Sequence, residues 1–355
     1  MKSYKEVFGT VLLLLFNGVF FACNYSNSDP VLKEFKKKAV LKSVVTKINS
    51  DDIGEHVDML LIDSVLIINE MSNEYIYRLF NINNGNLIKN CIKRGSGPNE
   101  MIFPRAISYY KDDLFTSYSN SRNELLYFSL NDLLNGDDHF YRSQEIDMQT
   151  SFRGYPINDS LIICTGMYEK GRYGLYDIKN KDGSVKYDYP SDQKHEEESD
   201  LLKGMVFQGE ITMHPNRNMF AHASLAACEL EIFSIGKNDF ERDFQKVYFL
   251  PNYTVRDNRY KLDKSNKLGF MSMISTDSFL CVLYSGRSTK EFGMECFSSN
   301  ALLIYDWSGN PIIHFELDRQ IKDITIDNEN MIIYAYSINQ YSGEPEIISY
   351  ELPNF

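Results

Sequence analysis

The chain has 355 residues, a formal net charge of −12 and an aromatic content of 14%. An acidic chain without basic blocks argues against nucleic acid as a partner. The length is enough for one large hydrophobic core or for two smaller ones.

The N-terminal residues predict export and lipid attachment. MKSYKE supplies two lysines, and the apolar run that follows ends at Ala22 and Cys23, before the polar stretch NYSNSDP. A small residue directly before this cysteine resembles a bacterial lipobox, which implies a signal peptide over residues 1–22 and a lipidated Cys23, with palmitate among the acyl chains. A plain signal peptide or an N-terminal membrane anchor is the alternative.

No later segment has the ~20 apolar residues of a membrane-spanning helix. Membrane attachment is therefore expected through the lipid alone, with residues 23–38 as the tether. The prediction is an envelope protein at the outer membrane, facing the periplasm or exposed on the surface. We expect it to be a monomer.

The remaining cysteines are a poor disulfide framework. Four of the five lie inside apolar runs, where a free cysteine behaves as a small hydrophobic side chain. An odd number without short spacings does not indicate regular pairing. Cys281 with Cys296 is the one pairing that we consider.

From residue 55 onward, short apolar or alternating runs recur between turns rich in Asp, Asn, Ser and Gly. The first set reads EHVDMLLI, turn DS, VLIINE, YIYRLFNI, turn NNGN and LIKNCI, which predicts four strands. Similar sets begin near residues 106, 154, 209 and 268. A sixth begins near residue 321 and ends at Phe355 without a fourth strand.

A spare strand is present at the other end of the chain. The segment AVLKSVVTKI, residues 39–48, precedes the first complete set and is expected to complete the last one. This predicts an all-β fold over residues 39–355, a six-bladed β-propeller with four-stranded blades that an N-terminal strand closes. A two-domain β-sandwich is the alternative.

The order of strands, a Y-x-L-Y-D pattern in a third strand and the segment RGSGPNE together resemble the TolB-like six-bladed propeller family of Bacteroidota lipoproteins. The most specific piece runs from Arg94 to Glu100, where the family typically shows Gly-x-Gly-Pro-x-Glu-Phe. Met101 stands at the position of the phenylalanine, with Phe103 nearby. The resemblance implies the fold and an envelope location, and it implies no established activity.

Loop lengths distinguish the two faces of such a ring. With the strands of a blade lettered A to D from the channel outward, the A–B and C–D turns form one face, here called the short-turn face. The B–C loops and D-to-A connections form the opposite, long-loop face. The longest segments all fall on the long-loop face: 93–105, 191–203, 251–267 and 287–300. Loops of this length are usually functional or mobile, so we expect the binding site there.

The segment KRGSGPNEM, residues 93–101, has two interpretations. A nucleotide P-loop would need GK[ST] and a following helix, and the segment has neither. It is therefore either a shaped corner or a corner that also presents backbone amides, Arg94 and Asn99 to a ligand.

Nine of the thirteen arginines map to the long-loop face or its approaches. Arginine suits bidentate recognition of carboxylates and phosphates, so we expect a ligand with negative charge. Long loops that simply hold more polar residues would give the same pattern. The residues predicted to bind the ligand are Arg94, Asn99, Arg105, Arg153, Tyr168, Arg172, Arg256 and Arg287.

Two classes of function follow. The preferred one is a recognition module that binds a partner protein or an anionic glycan of the envelope on the long-loop face. The alternative is a propeller hydrolase or lyase that acts on a carbohydrate or lactone at the channel mouth with a divalent metal. No catalytic or metal motif is found, so no catalytic residue, metal ligand or cofactor is predicted.

Overall fold

In a computed structural model, the described residues are 29–355 without 72, 149, 191–192 and 258. The predicted signal peptide and Cys23 lie outside them, so both stay predictions. Within the described part of the chain, no helix is long and apolar enough to cross a membrane.

Strands dominate the fold and form successive antiparallel sheets. Two strands precede the first sheet, and blades one, two and three then have four strands each. Their bounds are β1 (Lys38–Leu41), β2 (Val44–Val45), β3 (His56–Ile62), β4 (Val65–Glu70), β5 (Tyr75–Asn81), β6 (Leu87–Lys93), β7 (Pro104–Lys111), β8 (Leu114–Ser119), β9 (Glu124–Ser129), β10 (Arg142–Glu145), β11 (Ser151–Pro156), β12 (Leu161–Gly166), β13 (Tyr173–Asp177) and β14 (Asp182–Lys186).

Blade four is followed by a separate hairpin, β19–β20, and then by blades five and six. The bounds are β15 (Gly209–Met213), β16 (Met219–Ser224), β17 (Cys228–Ile235), β18 (Phe240–Phe249), β19 (Tyr253–Arg256), β20 (Arg259–Leu262), β21 (Phe270–Ser275), β22 (Phe279–Tyr284), β23 (Ser299–Asp306), β24 (Pro311–Asp327), β25 (Ile332–Ile338) and β26 (Pro345–Glu351).

Helices are short and lie in the connections. The α-helices are α1 (Leu130–Leu134), α2 (Asp200–Val206) and α3 (Thr289–Phe292), and the 3-10 helices are Leu32–Glu34, Ser50–Asp52, Gln193–His195 and Gly293–Phe297.

The position of a strand in its blade follows from its residue pattern. Second strands such as β4 and β22 are continuous runs buried along their whole length. The outermost strand β18 alternates between half-buried and exposed residues, as a strand with one solvated face should. The tight A–B turns use residues that tolerate the left-handed region, such as Asp63 with φ 50° and Asp112 with φ 54°.

Blades five and six share one long strand. The first part of β24 pairs with β23, and after a register shift its second part pairs with β25. The same strand is therefore the outermost strand of blade five and the innermost strand of blade six.

The N-terminal segment completes blade six, as predicted. In β2, Val44 pairs antiparallel with Ser349 of β26, and the amide of Thr46 donates to the carbonyl of Ile347 at 3.0 Å. The predicted single strand 39–48 is nevertheless divided, because β1 pairs in parallel with the first part of β24 in blade five. The N-terminal segment thus joins two neighbouring blades.

Among the described strands, none of blade six pairs with one of blade one, so packing between these blades completes the ring. Each junction between neighbouring blades of the described chain has its own buried hydrophobic cluster. At the junction of blades six and one, for example, Ile48, Ile68 and Ile347 share one cluster. The six clusters follow the ring back to its start.

Part of the predicted tether is packed against the propeller. Val31 and Phe35 are 0% and 2% exposed and belong to the cluster between blades four and five. The carboxylate of Asp29 accepts a hydrogen bond from the Tyr284 hydroxyl at 2.9 Å. The folded unit therefore includes residues 29–38, ahead of the boundary predicted at residue 39.

Cys281 and Cys296 do not form the disulfide that we considered from the sequence. Both thiols are free and buried, as are the other three cysteines after residue 28. Burial raises the pKa of the Cys281 thiol, which fits its place among core side chains of blade five.

Candidate functional site

The long-loop face is elaborated, as the loop lengths predicted. The connection from blade three to blade four, residues 187–208, contains α2, and the connection from blade four to blade five contains the hairpin β19–β20. The B–C loop of blade five carries α3. One connection on the short-turn face is also long, since residues 130–141 of blade two contain α1.

The segment 93–101 is a corner that uses its own amides. The amide of Gly95 donates to the carbonyl of Met101 at 3.0 Å, and the amide of Gly97 donates to the Glu100 carboxylate at 2.8 Å. A Cβ atom added to Gly95 would clash with Oε2 of Glu100. These glycines leave room for a carboxylate that belongs to the loop itself, so these two amides are not available to a phosphate.

The Arg94 side chain stabilises the backbone beside this corner. Its Nε donates to the carbonyl of Asn73 at 2.9 Å, and its Nη2 donates to the carbonyl of Glu70 at 2.5 Å. Its guanidinium lies 5.7 Å from the centre of the Phe103 ring. Burial lowers the pKa of Arg94, although Glu70 opposes that effect.

Two of the predicted arginines are internal ion-pair partners. Arg153 bonds to Glu210 across the inner strands, with Nη2 and Oε1 at 2.7 Å. The guanidinium of Arg172, only 3% exposed, lies 2.7 Å from Glu229 and 2.6 Å from Glu231. Burial disfavours the charge of Arg172, but the two carboxylates outweigh it and raise its pKa.

The other predicted residues have diverse surroundings. Tyr168 is fully buried, with its hydroxyl 3.0 Å from that of Ser151. Asn99 adopts φ 59° in the corner. Arg105 and Arg256 are exposed, and Arg287 is half-buried. The eight residues thus do not share one environment, and their role in ligand binding stays a prediction.

Sequence reasoning missed a set of exposed apolar side chains on the long loops. They come from the B–C loops of blades five, six and one and from the connection between blades one and two, which are neighbours around the ring. Tyr341 is 94% exposed and Met294 is 77% exposed. We call the set the apolar loop residues: Met71, Phe103, Phe292, Met294, Phe297 and Tyr341. The apolar letters within KEFGMECF were the available signal.

Phe103 is also conformationally unusual. It has φ 49°, in the left-handed region that bulky side chains rarely adopt, and its side chain is 55% exposed. Backbone strain of this kind is often found at functional sites, where the surrounding structure maintains it. An exposed aromatic ring held in this way contributes little to the core.

The central channel forms a cavity of about 630 Å³. Its walls are the innermost strands β3, β7, β11, β15, β21 and the second part of β24, and its mouth is formed by A–B turns that include Asp63, Asp112 and Arg217. The cavity therefore opens on the short-turn face, opposite the predicted binding face.

Three carboxylates lie deep in this cavity: Asp58, Glu210 and Asp323. Asp323 interacts with His56 Nε2 at 2.9 Å and accepts from the Ser272 hydroxyl at 2.5 Å. We call this set of three carboxylates the cavity floor.

Asp58 lies in surroundings that disfavour its negative charge. It accepts from Asn69 Nδ2 at 3.0 Å and from the amide of Ile107 at 3.2 Å. Burial, and then the nearby charge of Asp323, raise its pKa to about 6. Among the described residues, no lysine, arginine or histidine forms an ion pair with it.

An active site in the channel would need polar groups that converge there, and the cavity floor provides three carboxylates. Within residues 29–355 as described, no three His, Cys, Asp or Glu side chains are arranged to hold a metal ion. Any reaction at the floor stays a prediction.

Comparison with known proteins agrees with the architecture. Residues 34–329 match the family described as TolB-like 6-blade propeller-like. A solved protein from Bacteroides fragilis, described as exported, superposes with a TM-score of 0.53 at 10% identity, covering 88% of this chain and 98% of that one.

Other propellers are more distant. The RRP9 WD40 repeats give a TM-score of 0.48 at 6% identity and cover 84% of this chain and 80% of theirs. The Cps50 (Swd1) propeller domain of Myceliophteria thermophila gives 0.46 at 10% identity and covers 87% of this chain and 99% of that domain. None of the curated proteins compared with the chain matches it.

Proposed function

Since this chain belongs to the TolB-like 6-blade propeller-like family, we propose that it is a recognition module of the cell envelope, anchored by a lipid on Cys23. Its long-loop face binds a partner protein whose contact surface is both apolar and negatively charged. The observation that carries the proposal is the set of apolar loop residues on neighbouring blades, with arginines beside them.

The residue types on this face are those of a protein interface. Aromatic residues, methionine and arginine are enriched where proteins bind one another, and a few such side chains supply most of the binding energy. The guanidinium of Arg287 lies 5.0 Å from the centre of the Phe292 ring. Holding both side chains in place before binding reduces the entropy that association costs.

The exposed arginines of this face indicate that the partner carries negative charge. The chain as a whole carries −12, so an anionic partner needs local positive charge to approach. Arg105 and Arg256 are exposed and form no ion pair among the described residues. Attraction by exposed charges is screened over about 8 Å at physiological ionic strength, so binding should weaken as salt is added.

A protein suits the apolar loop residues better than an anionic glycan does. Met294 presents a flexible thioether that is 77% exposed, and such side chains adapt to apolar surfaces. A glycan rich in charge and hydroxyl groups would leave this apolar surface without a complementary contact.

The envelope location is supported by the apolar N-terminal run that ends at Cys23 and by the exported description of the similar Bacteroides fragilis protein. Metabolic labelling with a fatty-acid probe tests the anchor. Wild type should be labelled and Cys23→Ala should not. Equal labelling of the two would overturn the lipid anchor while leaving the docking face untouched.

Substitutions on the long-loop face test whether a partner protein binds there. Met294→Glu and Tyr341→Glu place a like charge where an acidic, apolar partner would bind. After chemical crosslinking in cells that produce the protein, each variant should retain at least tenfold less of the wild-type partner, measured by mass spectrometry. Tyr141→Glu is the matched control, because Tyr141 is 61% exposed but lies in the long C–D connection of blade two.

The outcomes distinguish a protein from a glycan as the ligand of this face. Unchanged partner proteins in both loop variants would overturn the proposal. If protein partners are unchanged but retention on an anionic polysaccharide column falls, a glycan is the ligand of this face.

A further inference from the structure

We propose that the channel cavity is a second binding site, which holds a small organic cation with its ammonium group against the cavity floor. The site opens on the short-turn face, so it is independent of the docking face proposed above. The shape, lining and charge of the cavity support this second site.

The size and lining of the cavity suit a small molecule. About 630 Å³ is within the range of roughly 300–1,000 Å³ that ligand pockets occupy. Above the floor, the wall is amphipathic. Its half-buried apolar side chains are Leu60, Ile107, Ile274 and Ile326, and its half-buried hydroxyls are Thr212 and Ser275. A ligand with a charged end and a partly apolar body would match both zones.

The charge of the lining selects a cation. Seven carboxylates line the cavity against a single arginine: Asp58, Asp63, Asp112, Glu210, Asp323, Asp327 and Glu329. That arginine, Arg217, directs its three nitrogens to the backbone carbonyls of Tyr109, Tyr110 and Pro156. Its donors are thus directed to the protein itself, and an anion would meet mostly like charge.

The three carboxylates of the floor differ in how fully a positively charged partner compensates them. Glu210 pairs with Arg153, and Asp323 pairs with His56, which is charged only when protonated. Asp58 accepts only from neutral donors, Asn69 and the amide of Ile107. A cation bound between Asp58 and Asp323 would relieve their mutual repulsion, because each would gain an opposite charge.

The ligand is organic rather than a bare metal ion for two reasons. Within the described chain, no three side chains of the metal-binding types are grouped closely enough to hold one. The apolar middle of the wall would also have no role in holding an ion, whereas it can contact the carbon skeleton of an amine.

Acid should weaken binding at this site. Asp58 loses its charge as the pH falls through its raised pKa of about 6, and an uncharged carboxyl no longer attracts an ammonium group. The titratable and charged groups that act on Asp58 or respond to it are His56, Arg153, Tyr155 and Asp323 on the inner strands and Tyr77 on β5.

Calorimetry with two kinds of amine tests the proposal. The probes are spermidine, a linear polyamine, and glucosamine, an amino sugar, and their neutral counterparts are 1,8-octanediol and glucose. At pH 7.5 at least one amine should bind, and its neutral counterpart should not. Which amine binds distinguishes an extended from a ring-shaped body. The same titration at pH 5 should give weaker binding.

Two variants of the folded protein complete the test. Asp58→Asn should lower the affinity for the amine at least tenfold, as expected for the loss of a charge-assisted contact. Glu241→Gln removes an exposed carboxylate from the outer strand β18 and should leave the affinity unchanged. Binding of neither amine, equal binding of the neutral counterparts, or an unchanged affinity in a folded Asp58→Asn protein would each overturn the proposal.

Discussion

At the residue scale, Glu100 explains the glycines of the segment 93–101. Its carboxylate accepts from the amide of Gly97, and it occupies the space where a side chain at Gly95 would lie. The sequence motif is thus one structural unit: a short loop that binds its own carboxylate in place of an external anion.

A double-mutant cycle tests this unit. Gly95→Ala displaces the Glu100 side chain and Glu100→Ala removes it, so both changes lose the same charge-assisted hydrogen bond. Each should lower the free energy of unfolding by about 1–3 kcal/mol. The double variant should lose less than the sum, because the bond can be lost only once. Urea unfolding measures all three, and strictly additive losses would contradict the shared bond.

The titration of Asp58 should make the stability of the protein depend on pH. The pKa of Asp58 is raised from 3.8 in the unfolded chain to about 6 in the folded protein. The folded state therefore binds the proton more tightly, and the stability that this provides is present below pH 3.8 and lost as the pH rises through 6. Asp58→Asn removes this loss, so it should stabilise the protein at pH 8 by on the order of 1–3 kcal/mol.

The gain should shrink as the pH falls towards 4, where the wild-type carboxyl is protonated. Thermal unfolding of both proteins across this range measures the difference, in which titrating groups that do not interact with Asp58 cancel. A constant difference at every pH would show that Asp58 is not perturbed as described.

At the element scale, strand β17 shows why the order of the strands could be predicted from the sequence and the pairing of distant residues could not. Alternation and turn residues predict strands from neighbouring positions alone, and they located the blades correctly. The strand CELEIFSI also places Glu229 and Glu231 on the same side, as residues two apart must be. Their partner Arg172 lies more than fifty positions earlier, and the sequence predicts it as a ligand-binding residue of the long-loop face. Sequence pattern carries no information on such a distant pairing.

The ion cluster around Arg172 is buried, so its loss should destabilise the protein. Arg172→Ala would leave Glu229 and Glu231 with less compensation inside the protein. Breaking a buried pair in this way costs about 3–5 kcal/mol, so the melting temperature should fall markedly. Arg256→Ala is the control, because that side chain is exposed and its loss should change stability by less than about 0.5 kcal/mol. Equal stability of the two variants would contradict the structural role of Arg172.

At the scale of the whole molecule, the N-terminal segment connects the ends of the ring. Its first part fills the junction of blades four and five with Val31 and Phe35. Its second part supplies β1 to blade five and β2 to blade six. The sequence predicted the closing strand, but not the packing of the residues before it. Those side chains are recognisable as core residues only once blades four and five are in place.

Truncation tests this connection. A chain that starts at Asn49 lacks both strands, exposes the edge of β26 and empties part of a buried cluster. It should melt well below a chain that starts at Cys23 or aggregate through the free edge. A chain that starts at Asp29 keeps every described contact of the segment and should melt like the chain that starts at Cys23. Equal melting of the two truncations would rule out the closure.

We propose that the long-loop face, rather than the short-turn face, docks a partner protein. Photo-crosslinking from single positions in the full-length protein, inside producing cells, tests this proposal. A photoreactive phenylalanine analogue replaces either Tyr341, in the B–C loop of blade six, or Tyr109, which is 44% exposed at the mouth of the cavity. We expect a discrete crosslinked protein from position 341 and not from position 109. Crosslinking of the same protein from position 109 alone, or equally from both positions, would contradict it.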